Sequence, residues 1–163
     1  MKPDDLLALL QGFYRDKLAL YRRHEAGAQQ VRSYEFNNTY QYVLAREAVH
    51  LEWLRSAIEE SGAVPDESAQ SLAVPVGGRG ASPARAVLHD DVQRVREFVT
   101  GWKPRVEQVS NARHRKMLEL VLGEVAEHQR FFEQAAAGRL DLLGRRPKSA
   151  GTGGGVLATR WLE

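Results

Sequence analysis

Two carboxylate–histidine pairs carry the chemistry this chain could do: Glu47 with His50, and Glu124 with His128. Side chains three or four positions apart share one helical face. A carboxylate oxygen and an imidazole nitrogen so placed can reach one ion, and that mixed donor set suits iron, manganese or zinc. The surroundings sharpen the point. Tyr40, Val43, Leu44, Leu51, Leu54 and Ile58 mark a buried helical face. At about 100° per residue, Glu47 lies within roughly 60° of all six, and His50 sits on the edge of the same stripe. A carboxylate aimed at a core is costly unless something pairs with it.

Three other stripes repeat the pattern. Asp91 is central to Ala84, Val87, Leu88, Val95, Phe98 and Trp102, and Glu124 and His128 fall among Met117, Leu120, Val121, Phe131 and Phe132. Lys17 and His24 interrupt Leu6, Leu10, Phe13, Leu20, Tyr21 and Ala28. Glu47, Asp91 and Glu124 thus bring three negative charges toward one interior against the single positive charge of Lys17. Burying the remainder unpaired would cost several kcal/mol each, so protonation, water or a cation is required. Each residue also has a plainer role: His24 as a hydrogen-bonded core histidine, Lys17 as the ion partner of Glu47, Asp91 as the partner of Arg94, Tyr14 and Tyr21 as packing.

Four helices must hold these side chains. The first starts near Pro3–Asp5, with Asp4 as a candidate cap, and runs to about Val31. Residues 33–38 read as a turn, with Asn38 capping the second helix and Gln41 closing a capping box. Ser61-Gly62 ends that helix. From Gly62 to Ser82 the chain has Pro65, Pro75 and several glycines and no helical period. A connection this long inside one domain needs a reason. At up to about 3.3 Å per residue it can cross a bundle of about 35–40 Å, which would let the second and third helices run parallel. Ser82-Pro83 starts the third helix, and Gly101 and Pro104 are expected to kink or end it. A turn at residues 109–111 leads into the fourth, which ends near Gly138. Gly123 within it implies close approach by a neighbour. Residues 1–140 are expected to form the bundle. Residues 141–163 form a glycine-rich tail whose Val156, Leu157, Trp161 and Leu162 should dock on the bundle or on a second subunit.

The 163 residues fit one domain with a real core. With no cysteine, a disulfide framework and a thiolate metal site are both excluded. The net charge is +2, but the bases are interspersed with nearly as many acids, and the one dense cluster, residues 144–148, lies in the tail. A solvated tail accounts for it better than a nucleic-acid site. No stretch reads as a signal peptide or approaches the roughly 18 apolar residues of a membrane span, so a cytoplasmic location and no membrane partner are expected.

The arrangement resembles the ferritin-like, rubrerythrin-like di-metal carboxylate bundles. Glu47-Ala48-Val49-His50 matches their Glu-x-x-His motif. Asp91 stands thirty-three positions before Glu124, like the helix-three carboxylate of rubrerythrin-like members. The resemblance implies an all-α, ferritin-like up-down four-helix bundle with a long crossover between helices two and three. It implies two ions at the centre, held by a Glu from each of two helices and a Glu-x-x-His from each of the others. The metal would be iron or manganese, with zinc compatible, and the work redox: activation of O₂ or peroxide, oxidation of iron, or oxygenation of a small substrate. Glu47 and Glu124 would bridge or chelate, His50 and His128 would be terminal ligands and Asp91 a terminal carboxylate. Lys17 would be a nearby cation stabilising a bound peroxide or carboxylate. Two departures are plain. The histidine of the fourth helix comes one residue late, or Glu127 shares its role, and the first helix offers Lys17, Tyr21 and His24 with no inward Glu.

Two other readings stand beside this one. A metal-free interaction or structural bundle would have Lys17 bridged to Glu47 or Glu124, and Val49 and Trp53 as a homodimer face. A three-histidine site of His24, His50 and His128 would follow the metal-dependent thiol-transferase bundles.

Overall fold

The computed structural model describes residues 3–74, 83–140 and 142–143. These form four α-helices, α1 (Pro3–Ala28), α2 (Tyr34–Glu60), α3 (Pro83–Glu107) and α4 (Ala112–Ala136), with no strand among the described residues. The described residues make a four-helix bundle. Among the described residues no helix is long and apolar enough to cross a membrane.

Local chemistry sets the helix ends, with two departures from expectation. Asp4 and Asp5 occupy the first turn of α1, where the helix dipole favours acids. The helix stops at Ala28, and Gln30 and Val31 only close turns onto the carbonyls of Gly27 and Ala28. α2 begins at Tyr34, several residues before the expected Asn38 cap. Ser33 takes the cap position without a side-chain cap, the Asn37 amide nitrogen donates to the Ser33 carbonyl, and Phe36 packs on the core. Asn37 also donates through its side chain to the Ala28 carbonyl at 3.3 Å, tying the start of α2 to the end of α1. That tertiary pull outweighs the turn preference of the Asn-Asn pair. α3 runs through Gly101 and Pro104 to Glu107, its last turns held by buried Trp102 and Val106. Asn111 caps α4, its side chain accepting from the His114 amide at 3.1 Å. Gly62 and Gly138, both at positive φ, follow the ends of α2 and α4.

α1 packs chiefly on α2 and α3 chiefly on α4. Along α1, Tyr14 meets Arg55, Lys17 meets Glu47 and Ala28 meets Asn37, so α1 and α2 are antiparallel. Trp102 donates to Asp16, and Arg23 pairs with Asp90, so α3 also runs against α1. On the other side Tyr42 meets Phe131, His50 meets Glu124 and Glu60 meets Arg113, which makes α4 antiparallel to α2. Beyond Gly62 the chain lies along α1. The Gln11 side-chain amide both donates to the Val64 carbonyl and accepts from the Asp66 amide, and Arg15 pairs with Asp66 at 3.1 Å.

Toward the start of α1 the core is aromatic, with Phe13 edge-on to both Phe98 and Trp102 at 5.2 and 4.9 Å. Toward the end of α1, Phe132 packs on His24 and Tyr40. Two expectations for α4 fail. Leu120 is half-exposed, and a Cβ at Gly123 would meet nothing within 4 Å, so no neighbour approaches there. Gly27 instead has the close approach, since a Cβ there would lie 2.8 Å from the Arg23 guanidinium and 3.1 Å from Val87. The apolar tail residues 156–162 lie outside the described residues. Leu142, just after α4, is buried with the core.

Candidate functional site

Between the two aromatic layers the interior turns polar. Lys17, His24, Glu47, His50, Asp91 and His128 are all buried, with relative exposures of 0–2%. Helical period explains how. Lys17 and His24 are seven residues apart on α1, and Glu47 and His50 three apart on α2, so each pair stacks along one inward stripe. α4 contributes His128 and, nearer the rim, Glu124.

The six sequence-derived site residues divide into three groups, each carboxylate with its own cation. At the centre, Lys17 donates from Nζ to Glu47 Oε1, both side chains fully buried. His24 Nδ1 lies 2.9 Å from the other Glu47 oxygen, and His128 Nδ1 3.8 Å from Oε1. In the second group Arg46 grips Glu124 with two bonds of 2.8 and 2.9 Å, and His50 Nε2 is 3.0 Å from Glu124 Oε2. His50 and His128, stacked at 6.2 Å, join these two groups. Toward the end of α1, Asp91 accepts from the Tyr40 hydroxyl and pairs with Arg23 at 3.2 Å, while Arg23 also reaches Asp90 at 3.0 Å. Arg94, the partner expected for Asp91, pairs instead with Asp90 and Glu97.

These placements set the proton affinities. Burial pushes the Lys17 amine below its usual value, opposed by the Glu47 charge. Burial alone would raise the Glu47 carboxyl, but His24 and Lys17 outweigh it and hold Glu47 well below the carboxylate range. The bonds from Arg46 lead in lowering Glu124. Burial raises Asp91 despite Arg23 and Tyr40, and lowers His128. Burial and then the Lys17 charge bring His50 down to about 4, so it is neutral at pH 7. The central group is therefore a Lys17–Glu47 pair, its carboxylate held ionised, among histidine rings.

A di-metal carboxylate centre needs carboxylates free to bridge and terminate ions. Here all three are bound by protein donors: Glu47 by Lys17 and His24, Glu124 by Arg46 and His50, Asp91 by Arg23 and Tyr40. Tyr40, which holds Asp91, lies seven residues before Glu47, about 10 Å along α2, so Asp91 is bound in a group of its own. Among the described residues no group of three or more His, Cys, Asp or Glu side chains is placed to hold a metal ion. As it stands, the donor set does not fit two ions.

Sequence reasoning missed Arg23 and Arg46, the cations that neutralise Asp91 and Glu124. Both sit beside the apolar stripes, and their long stems carry the charge inward. Gly27, one turn after Arg23, was the available signal, since its missing side chain leaves room for the guanidinium. Several buried nitrogens lack a hydrogen-bond partner, among them His24 Nε2, His50 Nδ1 and His128 Nδ1. No protein-family model, curated protein or solved structure matches the chain.

Proposed function

We propose that this chain is a metal-independent helical bundle, an interaction or structural module whose centre is a Lys17–carboxylate network. One observation carries the reading: every inward carboxylate has a protein cation of its own, Lys17 for Glu47, Arg23 for Asp91 and Arg46 for Glu124. The charge excess that would call for a metal is cancelled within the chain. Buried ion pairs add little net stability but penalise alternative packings, which suits a scaffold that must keep one register.

The helix senses support a ferritin-like topology for the scaffold. α2 and α3 both run against α1, which supports a long connection between them, and Val64–Glu67 lie along α1. Val49 and Trp53, both half-buried on α2, are the surface we assign to a second copy.

The competing reading is a redox centre of iron or manganese at Glu47, His50, Asp91, Glu124 and His128, with Lys17 beside it. The unpartnered imidazole nitrogens favour it, and the cation-bound carboxylates weigh against it. Metal analysis of protein purified without chelator decides between them. The scaffold reading expects metal far below one equivalent, at the same level in wild type and in an E47A/E124A variant. Stoichiometric iron or manganese in wild type, lost in the variant, would establish the redox reading.

A further inference from the structure

We propose that the trough between α1 and α3 binds a medium-length straight-chain carboxylate, its head group on Arg105 and its tail along Phe98 and Leu20. The site lies outside the central charge network and goes beyond the scaffold reading.

Helical spacing builds the trough. Arg94, Phe98, Gly101 and Arg105 recur every three or four residues and so share one face of α3, over about 16 Å of helix axis. Ala19 and Leu20 stand opposite on α1, and Leu72, from the chain beyond Gly62, lines the third side. Together they bound a cavity of about 310 Å³, within the size range of small-molecule sites. Its lining is apolar along the middle, where Ala19, Leu20 and Phe98 are buried and Leu72 is half-buried. Glycine inside a helix is unfavourable, yet Gly101 keeps this cavity open, since a Cβ there would meet nothing within 4 Å.

Charge selects the ligand. Both acids that line the trough are already engaged. Asp16 accepts from the Trp102 indole at 3.1 Å, while Glu97 accepts from Gln93 at 3.1 Å and pairs with Arg94 at 3.6 Å. Arg94 pairs with Asp90 as well. Arg105 differs. Its guanidinium lies over the Trp102 ring at 3.8 Å, and among the described residues no carboxylate pairs with it. Stacking on an indole holds the guanidinium plane and leaves its N–H edge to meet an anion. A carboxylate matches that edge with two parallel hydrogen bonds. The ligand therefore carries its carboxylate at Arg105 and an unbranched apolar chain running between the helices toward Phe98 and Leu20. Octanoate has this form.

The test is a titration of the full chain, R105Q and G101L with octanoate, octanol and octylamine, followed by proton–nitrogen correlation NMR that includes the Trp102 indole. Gly101 and Arg105 are exposed, so both variants should keep the circular dichroism of wild type. Octanoate is expected to shift the Trp102 indole and the trough amides saturably in wild type. R105Q should bind it at least about tenfold more weakly, the value of a hydrogen bond to a charged group. G101L fills the cavity and should show no saturable shift. Octanol and octylamine should bind wild type at least about tenfold more weakly than octanoate. Absence of a saturable octanoate shift at the trough overturns the proposal, as does octanoate binding by R105Q or G101L as tight as that of wild type. Octanol matching octanoate, or octylamine matching it through Asp16, overturns it too. None of these readouts depends on metal content, so the scaffold reading stands or falls separately.

Discussion

Breaking the Lys17–Glu47 pair from one side should cost far more than removing both charges. Both side chains are fully buried, so Lys17→Met strands a carboxylate in the core, and stranding one member of a buried pair costs about 3–5 kcal/mol. His24 still donates to the remaining Glu47 oxygen at 2.9 Å, which puts the expected loss at the lower end, about 3 kcal/mol. Glu47→Gln strands Lys17 instead, and the amine can shed its proton because burial has already lowered its proton affinity. A loss of about 3 kcal/mol is again expected. In the K17M/E47Q double variant no charge is stranded, and the carbonyl of the introduced amide can still accept from His24. It should lose about 1–2 kcal/mol relative to wild type, giving a coupling energy of about 4–5 kcal/mol. Urea denaturation followed by far-ultraviolet circular dichroism at pH 7, with chelator in every sample, measures all four stabilities on one scale. Single losses below about 1 kcal/mol that simply add would be the behaviour of an exposed ion pair, and would refute the buried-network argument.

Other tests address the pair's surroundings. His50 has a folded proton affinity of about 4, below its ordinary value, so the unfolded chain binds the extra proton first. Its contribution, on the order of 2–3 kcal/mol, is present above about pH 6.5 and lost as the pH falls toward 4. Urea midpoints at pH 7 and 4.5 should therefore differ less in H50Q than in wild type, and an unchanged difference would argue against it. Gly27→Ala drives a Cβ to 2.8 Å from the Arg23 guanidinium, which Asp90 and Asp91 hold in place. We expect a net loss of about 1–2 kcal/mol. Gly123→Ala meets open space and should gain up to about 1 kcal/mol from helix propensity. Melting curves showing the same sign for both would contradict the packing described at Gly27.

Periodicity made the helices and most of the buried polar side chains legible because it reports the direction of each Cβ. Lys17, His24, Glu47, His50, Asp91 and His128 all fall on apolar stripes in the sequence and all are buried. What it cannot report is where a long side chain ends. Arg23 and Arg46 leave the backbone beside the stripes, yet Arg23 is fully buried and Arg46 reaches Glu124 with two bonds. Counting only stripe residues gave three carboxylates against one lysine. Counting the guanidiniums balances them. The start of α2 was misplaced for a related reason, since Phe36 packing and the Asn37 bond to Ala28 are tertiary contacts that outweigh the local turn signal of Asn37-Asn38. Leu120 lies on the α4 stripe by spacing but at its margin in the bundle, where it stays half-exposed.

The most direct test of the charge balance is thermal unfolding of wild type with excess chelator and with excess manganese(II), iron(II) or zinc(II). A carboxylate centre neutralised by its own lysine and arginines gives the same midpoint in every condition. A ligand bound at about 100 times its Kd adds about 2.7 kcal/mol, so a midpoint raised by several degrees with metal and lowered by chelator would contradict that centre.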